Sequence, residues 1–118
     1  MLRADMDALP ILERTTSRNA EYISQTKNVM HACGHDGHVS ILLCVAKILT
    51  TQFKDKINGQ IKFVFQPGEE NGFGARMLIE EGLLDEKVDQ VYGLHLWNAA
   101  QPYIVQVGSG PATASRSV

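Results

Sequence analysis

The chain lacks the features that mark several classes of protein. It has two cysteines and one tryptophan among 118 residues, and aromatic side chains make up only 7%. Two cysteines do not provide a disulfide framework, so a small disulfide-stabilised secreted domain is excluded. The longest apolar run, 41–46, ends at Lys47 and is far shorter than the ~20 residues that a membrane span needs.

The chain also lacks an excess of charge of either sign. Lys and Arg number 11 against 13 Asp and Glu, which leaves a net charge of −2 without basic clusters. Nucleic acids and anionic membrane surfaces are therefore not expected partners. The acidic start, 1–7, does not resemble the charged and apolar regions of a signal peptide. We expect a protein of the cytoplasm, where thiols stay reduced.

What is present predicts an α/β fold. Apolar residues make up 44%, enough for one globular core at this length. Strand patterns and helical patterns alternate along the chain. The predicted strands are 2–4, 60–65, 88–97 and 103–107, and the predicted helices are 37–53, capped by Asp36, and 74–83. This order indicates part of a mostly parallel sheet with flanking helices, with room for one antiparallel strand at an edge.

Two segments carry no such pattern. Residues 13–28 are polar and non-periodic, which predicts a long surface loop of the kind that often has a functional role. Residues 111–118 are small and polar, as in a linker.

Residues that bind metals follow the predicted strands. Asp5 and Asp7 come after the first strand, Glu69 and Glu70 after the second, and His95 near the end of the third. Because ligands of open α/β sheets collect beyond the carboxyl ends of the strands, these side chains are expected at one edge.

A further cluster, 31–36, precedes the first predicted helix. Side chains two positions apart point the same way in an extended chain, so Cys33 and His35 can face one ion if the segment stays non-helical, as Gly34 permits. Thiolate, imidazole and carboxylate together favour zinc, with cobalt and manganese as alternatives.

Simpler interpretations stay open at this point. Cys33 alone could be an inert buried thiol, or a nucleophile paired with His35 in a cysteine hydrolase. His31 and His38 are interpreted as hydrogen-bonding residues that fix the loop. The acidic pair Glu69 and Glu70 could be favoured by the dipole of the following helix.

Four blocks of sequence, in order, resemble the M20 metallopeptidase family. They are 3–11 (RADMDALPI), 30–38 (MHACGHDGH), 65–70 (FQPGEE) and 93–95 (GLH). The resemblance covers nearly the whole chain. It is to the branch of amidohydrolases that cleave N-acyl amino acids, which includes hippurate hydrolases and plant auxin-conjugate hydrolases.

The resemblance assigns roles to individual residues. It implies two divalent metal ions, zinc, manganese or cobalt, held by Cys33, His35, Glu70 and His95. Glu69 matches the general base. Asp5 matches an acidic residue behind the ligands that would orient a ligand or the bridging water, and Asp7 and Asp36 are expected to support the site in the same way.

The resemblance also implies an activity and a domain organisation. The expected reaction is hydrolysis of the amide bond of N-acyl amino acids or similar conjugates. Residues 1–118 are expected to be part of a catalytic metal-binding domain, without the lid and dimerisation domain and without a counterpart after His95 of the family's distal histidine ligand. Self-association is a further expectation. The alternative function is a non-catalytic remnant that keeps part of the metal site.

Overall fold

A computed structural model of the chain describes residues 1–99 and 101–109, and it confirms the α/β class. The strands are β1 (Leu2–Asp5), β2 (Phe63–Gln66) and β3 (Tyr92–Gly93). The helices are α1 (His35–Thr51) and α2 (Gly74–Glu80), with a 3-10 turn at Lys54–Lys56. The predicted tail, 111–118, lies outside the described residues.

The three strands form a parallel sheet in the order β2-β1-β3. Asp5 at the end of β1 pairs with Gln66 at the end of β2, and Arg3 pairs with Gly93 at the end of β3. The carboxyl ends therefore meet at one edge of the sheet. No antiparallel strand joins this sheet within the described part of the chain.

Helix α1 packs on the central strand through one face. His35, His38 and Leu42 are its buried residues, and their spacing of three and four places them on the same side of the helix. Ala4 and Val64 of the sheet complete the buried core beneath it. The face that the sequence predicts as apolar thus begins with two buried histidines.

The first helix begins earlier than predicted. Gly34, not Asp36, precedes it, with a left-handed φ of 86° that glycine adopts without a steric penalty. Asp36 is exposed in the first turn, where its negative charge suits the positive end of the helix dipole.

The segments on either side of the long polar loop pair with each other. Leu9 and Met30 form an isolated antiparallel bridge, with hydrogen bonds of 2.9 and 3.0 Å between their backbones. No helix or strand interrupts residues 13–28, as predicted. The bridge returns the chain to the sheet edge immediately before Cys33.

Two strand predictions need correction. The stretch 88–97 contributes only Tyr92–Gly93 to the sheet, and residues 103–107 form no strand. The side chains of Val105 and Val107 are almost fully exposed, at 89% and 93%. A β-rich sequence becomes a strand only where another strand pairs with it and its side chains find a surface to pack on.

No helix in the described part of the chain is both long and apolar enough to cross a membrane.

Gly74, at the start of α2, is in close contact with the turn that carries the two glutamates. A Cβ atom there would lie 1.5 Å from the carbonyl oxygen of Pro67. We expect Gly74→Ala to lower the free energy of unfolding by about 2–3 kcal/mol, because the backbone must move to admit the methyl group.

Urea unfolding measures this loss. Gly108→Ala is the matched control, since a Cβ atom at Gly108 meets no neighbour within 4 Å among the described residues, and its effect should stay within about 0.5 kcal/mol. Equal losses in the two variants would contradict the proposed close contact.

Candidate metal centre

The carboxyl edge of the sheet and the beginning of α1 bring most of the predicted site residues together. Among residues 1–99 and 101–109, three sets of side chains have ligand atoms within 4.8 Å of one another. The sets are Cys33, His35 and His95; Asp5, His35 and His38; and His35, Glu69 and Glu70. His35 belongs to all three and is 0% exposed, so it is the centre of the cluster.

Carboxylates surround the imidazole of His35. Its Nε2 atom lies 3.7 Å from Asp5 Oδ1, 3.8 Å from Glu70 Oε1 and 3.9 Å from Glu69 Oε2. Its Nδ1 atom lies 3.3 Å from Asp7 Oδ1. None of these approaches makes a hydrogen bond, and both ring nitrogens of His35 are buried without a partner among the residues that the structure describes.

Cys33 and His95 complete the other side of the cluster. The Sγ atom of Cys33 lies 3.5 Å from Nε2 of His95. The Nδ1 atom of His95 lies 2.6 Å from the carbonyl oxygen of Leu96, so the ring donates from Nδ1. Nε2 then carries the lone pair, which is the arrangement of a histidine whose other nitrogen is available to a metal.

The turn between β2 and α2 presents the two glutamates. The side chain of Glu69 is 42% exposed and that of Glu70 is 27% exposed. The backbone N–H of Glu70 donates a 3.0 Å hydrogen bond to Oδ2 of Asp7, which fixes the turn to the end of β1. No acidic residue lies in the first turn of α2, so the dipole of that helix does not explain the pair.

Asp5 and Asp7 are held in their ionised form. Burial raises the pKa of Asp5, but the hydrogen bond with His38 and the positive charge of Arg3 outweigh it, so the pKa lies below its usual value. Burial likewise opposes ionisation of Asp7. The backbone N–H groups of Glu70 and Glu69 more than compensate, and the pKa of Asp7 is lowered as well.

The pKa of Cys33 is shifted in the opposite direction to the pKa values of Asp5 and Asp7. Burial, the hydrogen bond with Glu70, and the negative charges of Glu70 and Glu69 all raise the pKa of its thiol. A cysteine nucleophile needs a lowered pKa, so this environment disfavours the cysteine-hydrolase interpretation. The same negative charges attract a cation, whose binding deprotonates a coordinating thiol.

The donor set fits a divalent metal ion. An imidazole buried without hydrogen bonds costs free energy, and a metal ion bound through Nε2 of His35 would recover it. In a tetrahedral site with bonds of about 2.0–2.3 Å, ligand atoms lie roughly 3.3–3.8 Å apart. The separations of 3.5 Å between Cys33 and His95 and 3.8 Å between His35 and Glu70 agree with this geometry.

One predicted site residue lies apart from the cluster. Asp36 is exposed, and its backbone carbonyl accepts a 2.7 Å hydrogen bond from Ser40 Oγ. Its side chain belongs to none of the three sets of ligand atoms. The position next to His35 in sequence suggested a supporting role, but helical geometry turns adjacent side chains about 100° apart.

Sequence reasoning missed two residues that support Asp5. Nη1 of Arg3 donates a 2.9 Å hydrogen bond to Asp5 Oδ2, and Nε of Arg3 donates one of 2.8 Å to Gln66 Oε1. The only signal in the sequence was their position within the two blocks, 3–11 and 65–70, that resemble the family. Their contact depends on the pairing of β1 with β2, which only the folded chain provides.

Comparison with known proteins agrees with this site. The family model described as peptidase family M20/M25/M40 matches residues 1–112. The chain is 45% identical to thermostable carboxypeptidase 1 of Saccharolobus solfataricus, over 97% of the chain and 28% of that protein. It is also 45% identical to an N-acyl-L-amino acid amidohydrolase of Geobacillus stearothermophilus, over 97% of the chain and 30% of that protein.

A solved structure agrees as well. The fold matches a Bacillus subtilis protein described as a dinuclear metal binding peptidase from the M20 family, with a TM-score of 0.71 and 41% identity over 80% of this chain and 25% of that one. This chain has a parallel sheet with thiol, imidazole and carboxylate groups gathered at its carboxyl edge. This chain belongs to the M20 peptidase family, and it spans under a third of the length of these curated relatives.

Proposed function

We infer that the chain carries the metal-binding part of a hydrolase that cleaves the amide bond of N-acyl amino acids. The observation that supports this most strongly is His35, which is fully buried and has no hydrogen bond at either ring nitrogen within the described part of the chain. It faces Glu69 and Glu70 and is grouped with Cys33 and His95. The relative from Geobacillus stearothermophilus is named for this activity.

In the proposed site, Cys33, His35, Glu70 and His95 would hold two divalent metal ions. When bound, the ions supply Lewis-acid activation of the amide carbonyl and of water. Zinc suits the thiolate and imidazole donors, and manganese and cobalt are the alternative ions. Asp7 supports both sides of the site, because it accepts from the backbone of Glu70 and lies beside His35.

Glu69 is the proposed general base. It is the more exposed of the two glutamates, so its carboxylate can reach water and substrate while Glu70 binds metal. It takes a proton from the attacking water and delivers it to the nitrogen of the scissile amide. The carbon–nitrogen bond breaks, and the products are a carboxylic acid and a free amino acid.

The proposed partner is a small N-acyl amino acid, with no role for nucleic acid or membrane and with self-association of the chain. Residues 1–118 are proposed as part of a catalytic domain. The proposed location is the cytoplasm. The two cysteines are free in the structure.

Titration with cobalt tests the metal site directly. We expect the purified chain to bind cobalt with a thiolate-to-metal absorption band that disappears in Cys33→Ser. Cys44→Ser is the matched control, because Cys44 is an exposed free cysteine within α1 that belongs to none of the ligand sets. A band that persists in Cys33→Ser, or that is absent from the parent chain, would contradict the proposal.

Hydrolysis then separates the proposed activity from its alternatives. The metal-loaded chain is expected to release amino acids from N-acetyl and N-benzoyl amino acids slowly at most, and a chelator should stop the release. Preferential cleavage of unblocked dipeptides would instead favour a carboxypeptidase, the activity named for the Saccharolobus solfataricus relative. Metal binding without any hydrolysis would favour the non-catalytic alternative.

A further inference from the structure

His38 lies one turn along α1 from His35 and is 1% exposed. We propose that His38 is a positioning residue that holds His95 at the candidate metal centre by fixing the backbone of Leu96. The proposal rests on the proposed function only in assigning His95 to the metal. The hydrogen bonds that support the proposal join residues of this chain and involve no metal ion.

Both ring nitrogens of His38 are engaged. The backbone N–H of Leu96 donates a 2.9 Å hydrogen bond to Nε2, so Nε2 must carry a lone pair. The proton of the neutral ring therefore lies on Nδ1, which is 2.5 Å from Asp5 Oδ1. The other carboxylate oxygen of Asp5 already accepts from Arg3, which leaves Oδ1 as the acceptor that faces His38.

This arrangement distinguishes His38 from His35. Asp5, His35 and His38 form a possible ligand set by distance alone. His38 could ligate an ion only after losing its hydrogen bond with Asp5 or the one with Leu96. Neither nitrogen of His35 has a hydrogen bond to lose with any residue that the structure describes. The two neighbouring histidines therefore have different tasks, ligation for His35 and support for His38.

The hydrogen bond between Leu96 and His38 constrains His95, because the N–H of Leu96 belongs to the peptide unit that joins His95 and Leu96. Strand β3 ends at Gly93, so strand pairing does not hold residues 94–97. The N–H of Leu96 is bound by His38, and its carbonyl oxygen accepts from His95 Nδ1. The rings of His38 and His95 also pack edge to face, with centroids 4.6 Å apart. The result is an Nε2 atom of His95 that faces Cys33 at 3.5 Å.

Two substitutions separate the two hydrogen bonds of His38. The amide of asparagine can replace Nδ1 as the donor to Asp5 but cannot reach Leu96. The longer glutamine can place its carbonyl oxygen near the position of Nε2 and accept from Leu96. Both variants remove the imidazole, so each is the control for the other.

The tests need no enzymatic activity. We expect His38→Asn to weaken cobalt binding about 10- to 100-fold, the usual effect of losing a residue that supports a metal ligand. The amide of Leu96 should exchange with solvent about two- to tenfold faster, as loss of one hydrogen bond implies. His38→Gln should stay close to the parent chain in both measurements. Equal effects of the two variants, or a larger effect of His38→Gln, would overturn the proposal.

Nitrogen NMR of the metal-free parent chain gives an independent test that does not depend on folding of the variants. The ring of His38 should carry a proton on Nδ1 and none on Nε2. A proton on Nε2 would overturn the proposal. If the parent chain binds no cobalt, the metal-site proposal fails, while the tautomer and the exchange of the Leu96 amide still decide whether His38 positions this segment.

Discussion

His35→Ala is expected to abolish divalent metal binding by the chain. The residue belongs to every set of potential ligand atoms and is buried at their centre. Loss of a residue that only supports a ligand usually weakens metal binding about 10- to 100-fold. Loss of this shared ligand should exceed the upper end of that range, because no neighbouring donor replaces the buried nitrogen.

Isothermal titration with zinc or cobalt measures the effect. His31→Ala is the matched control, since His31 lies in the same sequence block but is exposed and belongs to none of the ligand sets. Circular dichroism of the metal-free variants will show that each chain remains folded. An affinity of folded His35→Ala equal to that of the parent chain would refute the proposed centre.

The two adjacent glutamates should respond differently to the same substitution. Glu69→Gln removes the proposed proton acceptor and should lower turnover by about 10²- to 10⁴-fold, with metal content unchanged. Glu70→Gln removes a charged ligand and should lower metal content as well as turnover. Both changes preserve side-chain size, so packing does not account for a difference between them.

Metal analysis of the purified variants, with hydrolysis of N-acyl amino acids measured in parallel, gives both readouts. Glu81→Gln supplies the control, because Glu81 is exposed and follows α2, away from the cluster. If Glu69→Gln loses metal and Glu70→Gln retains it, the two roles are reversed. The metal measurement decides this even if the parent chain turns over slowly.

The family and the fold class were predictable from local sequence. The four ordered blocks indicated the M20 family, and the family model confirms it over 1–112. Apolar periodicity located α1 and α2, and the strand pattern located the central strand and its neighbour. These features depend on residues close together in the chain, which is why pattern and spacing were sufficient.

Strand extent was less predictable. The stretches 88–97 and 103–107 have the composition of strands, yet only Tyr92–Gly93 pairs with β1 within the described residues. Pairing depends on a partner elsewhere in the chain, and β-rich composition does not report whether that partner is present.

The candidate site was also only partly predictable from the sequence. The sequence alone predicted five residues of the site, because metal-binding residue types follow the predicted strands and lie in blocks that resemble the family. They are Cys33, His35, Glu69, Glu70 and His95. The sequence predicted His35 as a ligand and His38 as a hydrogen-bonding residue, but it could not identify the hydrogen-bond partners of His38. It also could not connect Asp5 with Arg3 or His38 with Leu96, since these contacts require a specific pairing of strands and a specific packing of α1.

The sequence by itself determined the family, the α/β order of elements and the residue types available for metal binding. Only the tertiary structure decided which nitrogen atoms already have hydrogen bonds and which do not. Those hydrogen bonds join His38 to residues 33 positions before it and 58 positions after it. Local patterns do not encode such distant partners, because the partners come within hydrogen-bonding distance only when the parallel sheet brings its strand ends to one edge.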